Sequence, residues 1–402
     1  MAAIPRYRPH RNLVIFAAGF RPFFLGSAVW AAVAIPLWIA FYRGEAAAPS
    51  LMAPFIWHAH EMVFGFAAAT VAGFLLTAIP NWTGRMPLQG WPLATLVALW
   101  AIGRIACLWS ADIGATVAAL ADLSFPAAFL AVVGREIVAA RNWRNLPILA
   151  ALALLLLGNL LVHLDALGLA DSAELGNRVG LVTLLMLISL VGGRIIPSFT
   201  HNWLKKAHPA IKPPIPEGSL DRAVLVVTAL ALVAWALAPD APISAWANLV
   251  AGGAVLLRLS RWRGLRTLRE PLLAILHLGY AWLALGLVLL GLSRLVGLLP
   301  ATAALHALTV GAVGTMTLAV MTRATLGHTG KSLAAGPGTR IIYLLITLAA
   351  VLRVLSPLAG EAAILLLLLA GTAWSGAFGL FAILYGRALT RPRVEGAIAT
   401  AI

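Results

Sequence analysis

Twelve apolar runs divide this chain of 402 residues, and each is long enough to cross the hydrocarbon core of a bilayer as a helix. They fall at about 22–41, 58–80, 91–110, 114–135, 147–167, 178–199, 222–239, 243–260, 271–294, 303–325, 339–356 and 362–386. A backbone in lipid must satisfy its own hydrogen bonds, so such a chain is expected to be an all-α integral membrane protein. Composition agrees: 61% of residues are hydrophobic and 11% charged, whereas soluble domains carry about a quarter charged. The single cysteine, Cys107, lies inside an apolar run and reads as a small buried hydrophobe, leaving neither a disulfide framework nor a thiolate metal site available. The basic start, MAAIPRYRPHRNL, lacks the apolar core and cleavage site of a removable signal peptide.

Basic residues set the expected orientation. With the N-terminus in the cytoplasm, the inner loops and helix ends carry 22 of the 29 Lys and Arg, from Arg6, Arg8, Arg11 and Arg21 to Arg387, Arg391 and Arg393. The outer loops hold only Arg43, Arg178 and Arg294, beside the acidic Asp165, Asp171 and Glu174. The reading is a multi-pass protein of a bacterial inner membrane with both termini cytoplasmic. Its net charge of +15 is then a topological signal that needs no nucleic-acid partner.

The chain also repeats itself. HEMVFGFAAATVAGFLLTAIPNWTG (60–84) lies in register with HALTVGAVGTMTLAVMTRATLGHTG (306–330) at the leading His, a Gly five residues on and the closing Thr-Gly. NRVGLVTLLMLISLVGGRIIPSFTHNW (177–203) fits between them, with Pro197 on Pro80, and Arg104 aligns with Arg353. Three pseudo-repeats of four helices follow, at about 16–145, 146–268 and 269–390, within a single membrane domain.

Ionisable residues inside spans are functional candidates by default. His58, His60 and His306 open the second and tenth runs, with Glu61 beside them, and His163 lies late in the fifth. His58 and His60 are two residues apart, about 200° around a helix, so they face opposite sides and do not share one ion. That spacing suits a helix with a cofactor on at least one side, and His serves as an axial ligand of haem. The plainer alternative is histidines at the headgroup boundary. Arg104 and Arg353, at similar depth, are matched to haem propionates, and Arg104 equally to Asp122 in the fourth run. Arg194 and Arg323, near the cytoplasmic ends, read as snorkelling.

On the other side, His277 and Tyr280 are three apart on one face of the ninth run. His328 and His201 follow the tenth and sixth runs on that same side, and His277 and His328 converge if runs nine and ten pack together. His10 and His208 lie in basic loops and read as solvated. No Gly-rich dinucleotide fingerprint, Ser–His–Asp set or CxxCH motif occurs, and GHTGKS lacks the strand and first glycine of a P-loop. Any haem is therefore non-covalent.

Five stretches carry a family resemblance: FRPFFLGSAVWA (20–31), WHAHEMVFGFAAATVAGFLLTAIPNWTGR (57–85), GGRIIPSFTHNW (192–203), PLLAILHLGYAWLALG (271–286) and LHALTVGAVGTMTLAVMTRATLGHTGK (305–331). They resemble the NnrS family over essentially the whole chain. The resemblance implies a bacterial inner-membrane protein of twelve helices that contains haem and copper and is linked to denitrification and resistance to nitric oxide. The family's motif histidines carry over as His58, His60, His277, His306 and His328, while His201 and His163 rank lower. Twelve helices in three fourfold units also resemble the haem–copper oxidase architecture, with the HxH on helix 2 rather than helix 10 and the copper-site motif missing.

The expectation is a haem b- and copper-containing protein that binds nitric oxide and, as an oxidoreductase of the nitric oxide reductase type, reduces it with electrons from a quinol or another donor. His58, His60 and His306, with Arg104 and Arg353, hold haem in this reading. His277 and His328, then His163 and His201, hold copper, and Tyr280 or Glu61 supplies protons. The rival reading is a transporter or sensor that binds metal without turnover.

Overall fold

A computed structural model describes residues 13–297 and 299–393; Arg6, Arg8, His10 and Arg11 lie outside them. Among the described residues the chain is helical without strands, and twelve helices are long and apolar enough to cross a membrane. We number them α1 (Phe20–Tyr42), α2 (Pro54–Thr83), α3 (Trp91–Leu108), α4 (Ala115–Ala139), α5 (Trp143–Ala166) and α6 (Ala173–Ala207). The rest are α7 (Ser219–Leu237), α8 (Pro242–Ser260), α9 (Pro271–Leu295), α10 (Ala301–His328), α11 (Pro337–Leu358) and α12 (Gly360–Thr390). The chain is a multi-pass membrane protein.

Local chemistry places the helix ends. Proline stands in the first turn of α2, α3, α8, α9 and α11, where its missing N–H costs nothing and its fixed φ suits the helix. Gly84 closes α2 in a left-handed conformation, φ +70°. Internal Pro36, Pro80, Pro126 and Pro197 are retained within their helices. Pro54 starts α2 four residues ahead of the expected run, so Trp57–Met62 lies within the helix rather than at its mouth. The apolar run marks the lipid-crossing part only, whereas the helix continues through flanking polar residues.

Three helices contain a stretch of π-helix: Glu61–Ala67 in α2, Ile188–Gly192 in α6 and Ala307–Gly314 in α10. Those in α2 and α10 begin directly after His60 and His306, the two histidines that the sequence aligns. A π turn shifts the hydrogen-bond ladder, and such segments concentrate at functional sites.

The chain packs as two units. The first holds residues 13–180 with 324–332 and 381–393, and is centred on Phe20, Phe23, Phe24, Phe66 and Phe125. Here Gly158 of α5 and Gly176 of α6 bring backbones together, since a Cβ on Gly158 would lie 2.7 Å from the Gly176 carbonyl oxygen. The buried Arg21 guanidinium donates to the carbonyls of Ala388 (3.2 Å), Leu389 (2.9 Å) and Arg391 (2.8 Å), a cation at the carboxyl end of α12. The second unit holds 181–323 and 333–380, around Leu276, Tyr280, Leu283, Leu308 and Phe378. Large apolar side chains such as Leu230, Leu257 and Leu344 are exposed, as a lipid-facing surface requires.

Candidate metal centre

Within the first unit, α2, α3, α4 and α5 bring six polar side chains into an apolar interior: His60, Glu61, Arg104, Asp122, Asn159 and His163, each 2% exposed or less. Asp122 Oδ2 is the meeting point. His60 Nε2 lies 3.2 Å from it and His163 Nε2 2.9 Å, and the Asn159 side-chain amide donates to it at 2.9 Å. Asp122 Oδ1 is paired with Arg104, whose Nη1 donates to Glu61 Oε1 at 2.7 Å. Glu61 Oε1 also lies 3.0 Å from His60 Nδ1. Of the two partners expected for Arg104, a haem propionate and Asp122, the structure shows Asp122, together with Glu61.

The hydrogen bonds define how the donor atoms are turned. Because the Asn159 amide donates to Asp122, its carbonyl oxygen faces His60 Nε2, at 2.8 Å. His60 therefore meets a carboxylate through Nδ1 and two oxygen acceptors through Nε2. An N–H on Nε2 satisfies these oxygens, and a metal ion can take its place. The formal charges agree, since two carboxyl groups face one guanidinium, and a buried charge needs a partner. Ligands of a four-coordinate first-row ion, with bonds of about 2.0–2.2 Å, lie roughly 3.3–3.5 Å apart. The separations from Asp122 Oδ2 to the two imidazoles, 3.2 and 2.9 Å, are hydrogen-bond distances that must lengthen by a few tenths of an ångström to admit an ion. Cys107 completes the group: its sulfur and the donor atoms of His60, Asp122 and His163 all lie within 4.8 Å of one another. Cys107 is buried, as the sequence leads one to expect, and its sulfur borders this group. An apolar run reveals that Cys107 is buried and not which polar helices surround it.

The support around these donors follows a familiar pattern, in which a ligating imidazole gives its other N–H to a carboxylate. Glu61 fills that role for His60. Its second oxygen, Oε2, is buried without a protein partner, as are Arg104 Nε and the indole nitrogens of Trp30 and Trp57. Gly65 makes room for them: a Cβ there would lie 2.9 Å from Arg104 Nη1 and Glu61 Oε2 and 3.0 Å from Trp30 Nε1. The π segment contributes as well, because the Gly65 carbonyl accepts the Trp100 indole N–H at 2.9 Å.

The other expected residues lie elsewhere. His58 stacks on Trp38, ring centroids 4.2 Å apart, so the two histidines of the HxH face different neighbours. His328, in the first unit, packs against Phe20 at 5.4 Å. His277 is buried in the second unit; its Nδ1–H donates to the Leu273 carbonyl at 3.0 Å, and Nε2 faces Thr200 Oγ1 at 3.5 Å. His306 Nδ1–H donates to the Thr302 carbonyl at 2.6 Å. His201 and Arg194 are exposed, and Arg353 is half-buried near the end of α11. Arg323 packs over Phe199, 4.2 Å from the ring centroid.

Tyr280 belongs to a second polar network. Its hydroxyl accepts from Arg258 Nη1 at 3.2 Å and lies 3.5 Å from Ser189 Oγ. Arg258 is fully buried, donates from Nε to Asp221 Oδ1 at 2.9 Å, and gives Nη1 to the Ser189 carbonyl at 3.0 Å, within the π segment of α6. The sequence shows Arg258 only as one more cytoplasmic basic residue at a helix end, and gives no sign of its partner Asp221, 37 positions away. Asn159 was missed for the same reason.

Fold and site together define a twelve-span helical membrane protein with a buried histidine–carboxylate cluster suited to a metal ion. The family model described as NnrS protein matches residues 14–393, and the chain belongs to that family. Membership makes it a membrane protein related to nitric oxide. A comparison with curated proteins finds no match.

Proposed function

We propose that the chain is a copper-containing protein of a bacterial inner membrane, with both termini cytoplasmic, that binds nitric oxide and reduces it with electrons from a quinol or another donor. The observation that carries the proposal is the convergence of His60 Nε2, His163 Nε2 and Asp122 Oδ2, with Cys107 beside them. Copper heads the divalent first-row affinity series, and imidazole is a donor that suits it. Bound there, it would supply one-electron chemistry and a position for a small gaseous ligand.

The chain's own residues do the rest. Glu61 holds the His60 ring so that Nε2 faces Asp122. Arg104 fixes both carboxylates and offsets one of their charges. Glu61 Oε2, buried without a protein partner, leaves one acceptor free beside a ligand imidazole. Burial of all these groups excludes bulk water.

Haem b fits His60 poorly. Its Nε2 lies 2.8 Å from Asn159 and 3.2 Å from Asp122, a gap for an ion and not for a macrocycle. In this reading haem b belongs on other histidines, with His58 and His306 the residues the sequence offers.

The test is elemental analysis and absorption spectroscopy of the purified protein and of His60→Ala, His163→Ala and Asp122→Asn. Copper near one per chain in the parent, and a loss of tenfold or more in each variant, is the expected result. Variants that keep the parent's copper would sink the proposal. Copper without nitric oxide consumption would instead favour a sensor or carrier.

A further inference from the structure

The first unit contains a cavity of about 510 Å³ at the far end of α2 from the metal cluster. Its walls are apolar, from Leu76, Ile79 and Pro80 of α2 and Val132 and Val133 of α4. Its mouth is charged. Glu136 receives both Arg85, which pairs with its Oε2, and Arg135, whose Nη2 lies 2.8 Å from its Oε1. The two guanidiniums are 44% and 64% exposed and share one carboxylate, so one positive charge is left over beside an apolar pocket.

We propose that this cavity binds an acidic phospholipid of the cytoplasmic leaflet, with its phosphate on Arg85 and Arg135 and an acyl chain against α2 and α4. Three observations converge. The volume lies in the range of sites that hold amphiphilic small molecules. The surplus charge at the mouth complements an anion. The connection after α2 and the end of α4 lie on the side that the basic residues assign to the cytoplasm, where basic pockets between membrane helices take anionic headgroups. Glu136 holds the two arginines in place and disfavours a more highly charged ligand. This site is separate from the metal cluster and independent of the copper reading, although it rests on the same orientation.

The experiment uses the full chain, purified and delipidated in detergent, then titrated with phosphatidylglycerol, phosphatidylethanolamine or glycerol 3-phosphate, with bound lipid read by native mass spectrometry. Phosphatidylglycerol is expected to bind at least tenfold more tightly than phosphatidylethanolamine, and glycerol 3-phosphate not to compete. Arg85→Ala and Arg135→Ala should each weaken binding about fivefold, the equivalent of about 1 kcal/mol per basic residue. Val132→Trp, at the half-exposed valine of the wall, fills the cavity and keeps both charges, and should abolish binding while leaving copper content unchanged. Equal binding of the two lipids, or full binding by the Val132→Trp chain, overturns the proposal. Competition by glycerol 3-phosphate would make it a free-phosphate site and overturn the lipid assignment.

Discussion

Asp122 carries more of the site than any single histidine. One oxygen faces both imidazoles, and the other holds the guanidinium that also holds Glu61. Arg104→Ala should therefore destabilise the chain by about 3–5 kcal/mol, because two buried carboxylates lose their shared counter-charge. Thermal unfolding in detergent reads this, and Arg104→Lys should recover little, since one ammonium cannot fork to both partners. Gly65 makes a second residue-scale test. Its Cβ position is ringed by Arg104, Glu61 and Trp30, so Gly65→Ala drives a methyl group into polar atoms. A loss of about 1–3 kcal/mol is expected in the same measurement, with lower metal content as the ring shifts. The sequence shows why His60 and Arg104 are candidates, because ionisable groups in apolar runs stand out. It is silent on Asn159, which is common in any sequence and acquires a role only from its neighbours.

The π segments are the element-scale counterpart of these side chains. In α2 the segment follows His60 and presents the Gly65 carbonyl to Trp100; in α6 it presents the Ser189 carbonyl to Arg258. Deleting Val63 should remove the extra residue of the π turn, restore a regular α-helix and shift His60 and Glu61 against Gly65 and the rest of α2. The expected outcome is a folded chain that has lost its metal; unchanged copper content would show that the π turn has no positioning role. Arg258→Ala strips Asp221, Ser189 and Tyr280 of a partner at once but leaves Arg261 3.3 Å from Asp221, and should cost about 1–3 kcal/mol in an unfolding experiment. Helix existence was legible because an apolar run longer than the bilayer admits little else. The π turns were not, since they depend on one extra residue per turn and leave the hydrophobic pattern almost unchanged.

At the scale of the whole molecule, the basic bias predicts both ends of the chain in the cytoplasm. Ala46 and Ser332 are exposed in connections on opposite sides of this topology. Cysteine labelling in intact spheroplasts should modify Ala46→Cys and spare Ser332→Cys, with little background because the one native cysteine is buried. The reverse pattern would invert the topology. The three pseudo-repeats remain a proposal supported by the matching π segments of α2 and α10. What the sequence determined by itself was the solvent and its consequences: twelve helices, their order and the charge asymmetry of their connections. Those follow from the transfer of apolar and charged groups between water and lipid, which each residue contributes locally. Only the tertiary structure decided which helices meet, so that Cys107, Asp122, Asn159 and His163 surround His60 while His58 stacks on a tryptophan. Lipid covers any apolar helix face equally well. The choice of partner is therefore made by close packing and buried hydrogen bonds between residues far apart in the chain, and hydropathy carries no record of it.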